Sequence, residues 1–131
     1  MKKEIKIPSE IENISIIENI IDEISIELSL VTDLYGNIII GTIEAVTNAI
    51  IHGNNLDKNK YVSVNFIYNK PYLNIKVSDE GSGFMFNNIP DPTQIDNIEK
   101  PDGRGVFLMK HLADEVSFDR DGATVNLKFK I

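Results

Sequence analysis

Apolar residues early in the chain recur every three or four positions: Ile11, Ile14, Ile17, Ile21, Ile24 and Leu28. That period predicts an amphipathic helix. Ser9 and Glu12, just ahead of it, have the spacing of a capping box, which satisfies the free N–H groups of a first turn. The same isoleucines would suit a coiled-coil dimer seam, but the pattern is too short to argue for one, so core packing is preferred. A second helix is expected over 33–52, with Thr32 or Asp33 as N-cap and Gly53 just past the end as the C′ residue. Ile38, Ile39, Ile40 and Ile43 are poor helix formers on propensity, so burial has to carry that element.

Further along, the period drops to two. Val62, Val64 and Phe66 alternate with Ser63 and Asn65 over 61–68, and Leu73, Ile75 and Val77 mark 72–78, with Asn69, Lys70 and Pro71 turning between them. Residues 4–7 read as a short strand and 104–114 as a helix, while 115–119 and 123–130 form a hairpin around Asp121-Gly122. From Phe84 to Gly103, prolines and asparagines interrupt any period over a length that suits either a functional lid or disorder. The order strand, helix, helix, two strands, long loop, helix, hairpin predicts an α+β domain. Its sheet is antiparallel or mixed, with helices on one face, and residues 1–131 form one domain without repeats.

Composition narrows the chemistry. At 131 residues and 42% hydrophobic the chain can build a core without disulfides. The absence of cysteine excludes thiol catalysis, Cys-ligated zinc and Cys-bound iron–sulfur clusters. A formal charge of -7 disfavours direct nucleic-acid binding, because no lysine or arginine cluster offsets it. MKKEIKIPSE interrupts any signal-peptide core with charges, and no apolar run is read as a membrane span, so a cytoplasmic protein with no membrane contact is expected.

Glu44, Asn48 and His52 in EAVTNAIIHGN follow one another at i+4 and so line one face of the second helix. A carboxylate there can accept a proton from an attacking hydroxyl, and the Asn oxygen one turn later can ligate Mg, a hard cation. The plain alternative is that all three face solvent. His52 in a last turn is favoured by the helix dipole alone and receives no catalytic role. Asp79-Glu80-Gly81-Ser82-Gly83 follows a strand, placing a carboxylate at the strand end and glycines where positive φ or close ligand approach is needed; such a segment can equally be a tight turn. Gly103-Arg104-Gly105 is read as immediately preceding a helix, a suitable phosphate seat. Arg104 can touch a phosphate or pair with a surface carboxylate. Thr124 opens the last strand and can hydrogen-bond near a base or simply favour β structure. There is no GxxxxGK[ST] and no dinucleotide fingerprint, which excludes those two nucleotide folds.

Taken in order, EAVTNAIIHGN, VSDEGSGF, GRGVFLMKHLADEV and GATVNLKF resemble the N, G1, G2 and G3 boxes of the GHKL ATPase superfamily. The resemblance implies a Bergerat two-layer α/β sandwich with a mixed, mostly antiparallel sheet and an ATP lid at about 84–103. It implies Glu44 as general base, Asn48 as Mg ligand and Asp79 as adenine reader. Gly81, Gly83, Gly103, Arg104, Gly105 and Thr124 are then nucleotide contacts, with ATP and Mg2+ as cofactors. Short length, the helix before the N box, the HGN ending and GRGVFLMKHLADEV look most like anti-sigma-factor serine/threonine kinases. Members of that family bind a sigma factor, phosphorylate a STAS-domain anti-anti-sigma protein and are often homodimers. A sequestering ATP-binding module without chemistry, or the ATP-binding half of a split histidine kinase, are the alternatives.

Overall fold

The computed structural model describes residues 1–81 and 101–131. Gly83 and most of the expected lid therefore lie outside the described residues. Among the described residues, five strands form one sheet in the order β1-β2-β3-β5-β4: β1 (Lys2–Pro8), β2 (Tyr61–Asn69), β3 (Tyr72–Ser78), β4 (Glu115–Asp119) and β5 (Thr124–Lys130). Every pairing among the described residues is antiparallel. The sheet is thus simpler than the mixed one implied by resemblance.

The alternation seen in sequence becomes rows across the sheet. Ile5, Val64, Val77, Val125 and Phe118 stand opposite one another in register, as do Phe66, Ile75, Leu127 and Val116. The neighbouring row, Glu4, Asn65, Lys76, Asn126 and Ser117, is polar and belongs to the other face. Helices α1 (Ile14–Leu28), α2 (Thr32–Asn48) and α3 (Pro101–Leu112) cover the apolar face. Ile17, Ile21 and Ile24 of α1 are at most 1% exposed. Core packing, and not a dimer seam, consumes these three.

Helix boundaries differ from expectation in informative ways. Ser9 does not cap a helix: it is fully buried, and its hydroxyl donates to the Lys60 carbonyl at 2.7 Å. Tertiary burial outbids the local cap, and a 3-10 turn, Ile11–Asn13, starts the helical segment without a side-chain cap. Helix α2 begins after Val31, again without a side-chain cap, so neither Thr32 nor Asp33 serves as one. Its C-terminal end loosens into a π turn, Ala49–Gly53, closed by the Asn54 N–H to the Ala49 carbonyl. Gly53 is not the left-handed terminator; Asn55 and Leu56, with φ of 53 and 59, take that role.

The continuous helical stretch Thr32–Gly53 has the length and hydropathy to cross a membrane, contrary to the reading that no run approaches one. Here Ile38, Ala45, Val46, Ala49 and Ile50 are at most 5% exposed, each a member of the core cluster under the sheet. A helix packed into a protein core can pass the same test of length and hydropathy as a membrane span.

Candidate functional site

The C-terminal half of α2 and its π turn run across the end of the sheet where β3 finishes and β5 begins. A solvent-open cleft of about 550 Å³ lies there. Ala45, Asn48, Ala49, His52 and Gly53 of the helix form one wall, Val106 and Met109 of α3 another, and Val77, Asp79, Phe118, Ala123 and Val125 the sheet side. The lining is mostly aliphatic, with an amide at one place and a carboxylate at another. Such a cleft suits a flat heterocycle that presents an N–H donor.

Asp79 is held closely by the backbone around it. Only 8% exposed, it donates its N–H to the Ala123 carbonyl at 2.9 Å, and its Oδ1 accepts from the Gly81 N–H at 2.7 Å. Arg120 Nη1 donates to the Asp79 carbonyl at 3.2 Å. Arg120 is itself in left-handed backbone, at φ 51. Burial pushes the Asp79 carboxyl above its ordinary 3.8, while the Gly81 N–H and the Arg120 charge pull the other way.

Two glycines are required by close approach and not by φ. A Cβ at Gly53 would lie 2.3 Å from Asp79 Cγ, and one at Gly81 would lie 2.3 Å from the Gly53 carbonyl oxygen. Backbone positivity, one of the reasons considered for Gly81, does not apply; the close neighbour is protein backbone. The helix end and the loop after β3 thereby press together, with the Asp79 carboxyl packed directly against Gly53.

The same logic joins α3 to α2. A Cβ at Gly105 would come within 2.8 Å of Asn48 Nδ2 and 3.1 Å of its Oδ1. Gly103 and Gly105 lie inside α3, which starts at Pro101, so they do not precede the helix as read from sequence. Proline is well suited to a first helical position, and its fixed φ starts the helix three residues early. The side chain of Arg104 lies outside the described residues. Thr124 is 2% exposed, and its hydroxyl pairs with that of Ser78 at 3.1 Å beneath the cleft.

Asn48 and Asp79 therefore line one cleft, with Gly105 packed against Asn48 and Gly81 bonded to Asp79. Glu44 sits one turn back along α2, half-buried, and does not line the cleft among the described residues. No group of three or more His, Asp or Glu side chains is placed to hold a metal among the described residues. A hard cation here would take Asn48 Oδ1 as a protein ligand and draw its other oxygens from phosphate and water, which is how Mg is commonly held.

Sequence reasoning gave Asn54 no role of its own and gave Ser9 that of a helix cap. Asn54 is fully buried; its Nδ2 donates to Ser9 Oγ at 2.8 Å and to the Tyr61 carbonyl at 3.0 Å, and its Oδ1 accepts from the Glu80 N–H at 2.8 Å. Glu80 in turn accepts from the Tyr61 N–H. The available signal was an asparagine immediately after the helix-ending glycine.

The family model for the histidine kinase-like ATPase domain matches residues 7–129. The serine-protein kinase RsbW of Bacillus subtilis (strain 168) is 31% identical over 131 residues, covering 93% of this chain and 81% of its own. RsbW of Bacillus licheniformis is 32% identical, with coverage of 95% and 82%. The anti-sigma F factor of Geobacillus stearothermophilus is 39% identical over 92 residues, 65% of this chain and 62% of that relative.

Proposed function

This chain belongs to the family of histidine kinase-like ATPase domains, and on that premise we propose that it is an anti-sigma-factor protein serine/threonine kinase. It binds Mg-ATP, restrains a sigma factor and transfers phosphate to a serine or threonine of a STAS-domain anti-anti-sigma protein. The observation that carries this reading is the cleft itself. A buried carboxylate, Asp79, stands at its sheet end among aliphatic walls, and an amide, Asn48, stands on the helix wall. One matches the exocyclic amine of adenine; the other matches the phosphate end of the same molecule.

Residue roles follow from chemistry. Asp79 accepts a hydrogen bond from the adenine amine, while Val77, Met109, Phe118 and Val125 exclude water from the ring faces. The first turns of α3, which hold Gly103, Arg104 and Gly105, offer the phosphates a positive helix end. Asn48 holds Mg, which when bound neutralises phosphate charge. Gly81 and Thr124 border the nucleotide. The partner's hydroxyl oxygen forms a bond to the γ-phosphorus as the bond to the β–γ bridging oxygen breaks, and ADP leaves. Glu44 takes the hydroxyl proton, so catalysis is mainly positioning. A nucleotide substrate, ATP, and a sigma-factor partner belong to the cytoplasm. Any homodimer would use residues other than Ile17, Ile21 and Ile24, which the core already buries.

One observation favours a second reading. Because Glu44 stands outside the cleft lining, a domain that binds ATP and sequesters a partner without phosphorylating it fits the same walls. Transfer from Mg-ATP to each STAS-domain protein of the source organism separates the two. The kinase predicts a serine or threonine phosphopeptide by mass spectrometry, reduced at least about a hundredfold in Glu44→Gln. ATP binding with no modified peptide in any of them would leave the sequestering module as the function.

A further inference from the structure

We propose that Asn54 is the positioning residue for Asp79, setting the angle at which its carboxylate meets the base. The inference rests on Asp79 being the base reader. Asn54 lines no part of the cleft among the described residues, so it acts through Asp79 and not on the nucleotide.

The peptide unit between Asp79 and Glu80 is gripped at both ends. Its N–H, on Glu80, donates to Asn54 Oδ1 at 2.8 Å, and its carbonyl, on Asp79, accepts from Arg120 Nη1 at 3.2 Å. On the other side of the same residue, the Asp79 N–H is fixed to the Ala123 carbonyl at 2.9 Å. With both flanking peptide planes held, the backbone of Asp79 has little freedom, and its short side chain inherits that direction.

Asn54 is anchored well enough to serve this purpose. Its amide nitrogen donates to Ser9 Oγ and to the Tyr61 carbonyl, joining the chain just after β1 to the start of β2. Its own N–H closes the π turn onto the Ala49 carbonyl, which ties it to the helix that bears Asn48. The side chain is 0% exposed, so water cannot replace these bonds if the amide is lost. The base-reading carboxylate and the phosphate-side amide are thus referenced to one another through a residue that contacts no nucleotide. A Cβ at Gly53 would meet the Asp79 carboxyl itself and one at Gly81 would meet the Gly53 carbonyl, so the packing around this carboxylate leaves little room for a shift.

Binding of ATP and of purine riboside triphosphate, which lacks the exocyclic amine, tests this. Wild type is expected to prefer ATP by about tenfold or more. Asn54→Ala should bring that ratio close to one, while the affinity for the amine-less analogue stays within about twofold. Asn54→Asp keeps an oxygen for the Glu80 N–H but loses both donors; it should melt earlier yet hold the ratio within about twofold of wild type. Asp79→Ala should abolish the preference, and adding Asn54→Ala to it should change the ratio no further. Equal weakening of both nucleotides in Asn54→Ala, or a wild-type ratio there, overturns the proposal. If Asn54→Ala does not fold, loss of preference in Asn54→Asp overturns it and retention supports it. A preference that survives Asp79→Ala removes Asp79 as base reader, and this role of Asn54 falls with it.

Discussion

Asp79 shows at the scale of one residue how burial shapes a carboxylate. The folded protein holds this carboxyl's proton more tightly than the ordinary value of 3.8 allows, because burial outweighs the Gly81 N–H and Arg120. The native state then binds more protons than the unfolded chain, so its stability falls as pH rises from 3.8 through the raised pKa and levels off above it. Asp79→Asn keeps an oxygen for the Gly81 N–H and loses the ionisation. In the nucleotide-free protein it should stabilise by about 1 kcal/mol at neutral pH, with the gain shrinking toward acid. Thermal melts of both proteins along that range check the sign. A variant less stable than its parent at neutral pH would mean that Gly81 and Arg120, and not burial, dominate.

Between elements, the contact that matters is α2 against α3. Gly105 lets α3 approach until its backbone touches the Asn48 amide, and a methyl group there would meet Asn48 Nδ2 at 2.8 Å. Asn48 can swing aside at little cost, and alanine is favoured over glycine inside a helix. Gly105→Ala should therefore leave thermal stability within about 1 kcal/mol of wild type. If Asn48 has the proposed role, the substitution should weaken Mg-ATP binding by about tenfold, since the amide is displaced from the cleft wall. Calorimetric titration beside a melting curve separates the two effects. Unchanged affinity would show that Asn48 contributes nothing from its present position.

For the molecule as a whole, the cleft is where α2, α3 and the β3–β5 end of the sheet meet, so a ligand there links layers that are otherwise joined mainly by the core. Binding to the native state alone stabilises by mass action, about 2.7 kcal/mol at a nucleotide concentration a hundred times Kd. Mg-ATP should raise Tm by several degrees, and more than ATP with a chelator does. Melting curves at increasing nucleotide concentration measure this. A Tm indifferent to nucleotide would exclude the cleft as an ATP site.

Much of this was readable without coordinates, because two periodicities carry it. The spacing of Ile17, Ile21 and Ile24 and the alternation through Val62, Val64 and Phe66 survive as a helix face and a sheet face, since burying apolar area admits few other arrangements. The N-box stripe and the strand-end carboxylate were likewise local patterns of type and spacing. What local pattern could not supply was competition between distant partners. Ser9 has the spacing of a cap, yet it bonds to Lys60 and Asn54, from segments far along the chain. Gly53, Gly81 and Gly105 look like breakers or flexible turns, and only the fold reveals that each leaves space for an atom of another element. Asn54 stood at the end of the HGN run, but nothing local said which segments it would join. Periodicity alone determined which faces are buried; the identity of the groups that meet at the cleft was decided by packing, which acts between residues that sequence proximity does not connect.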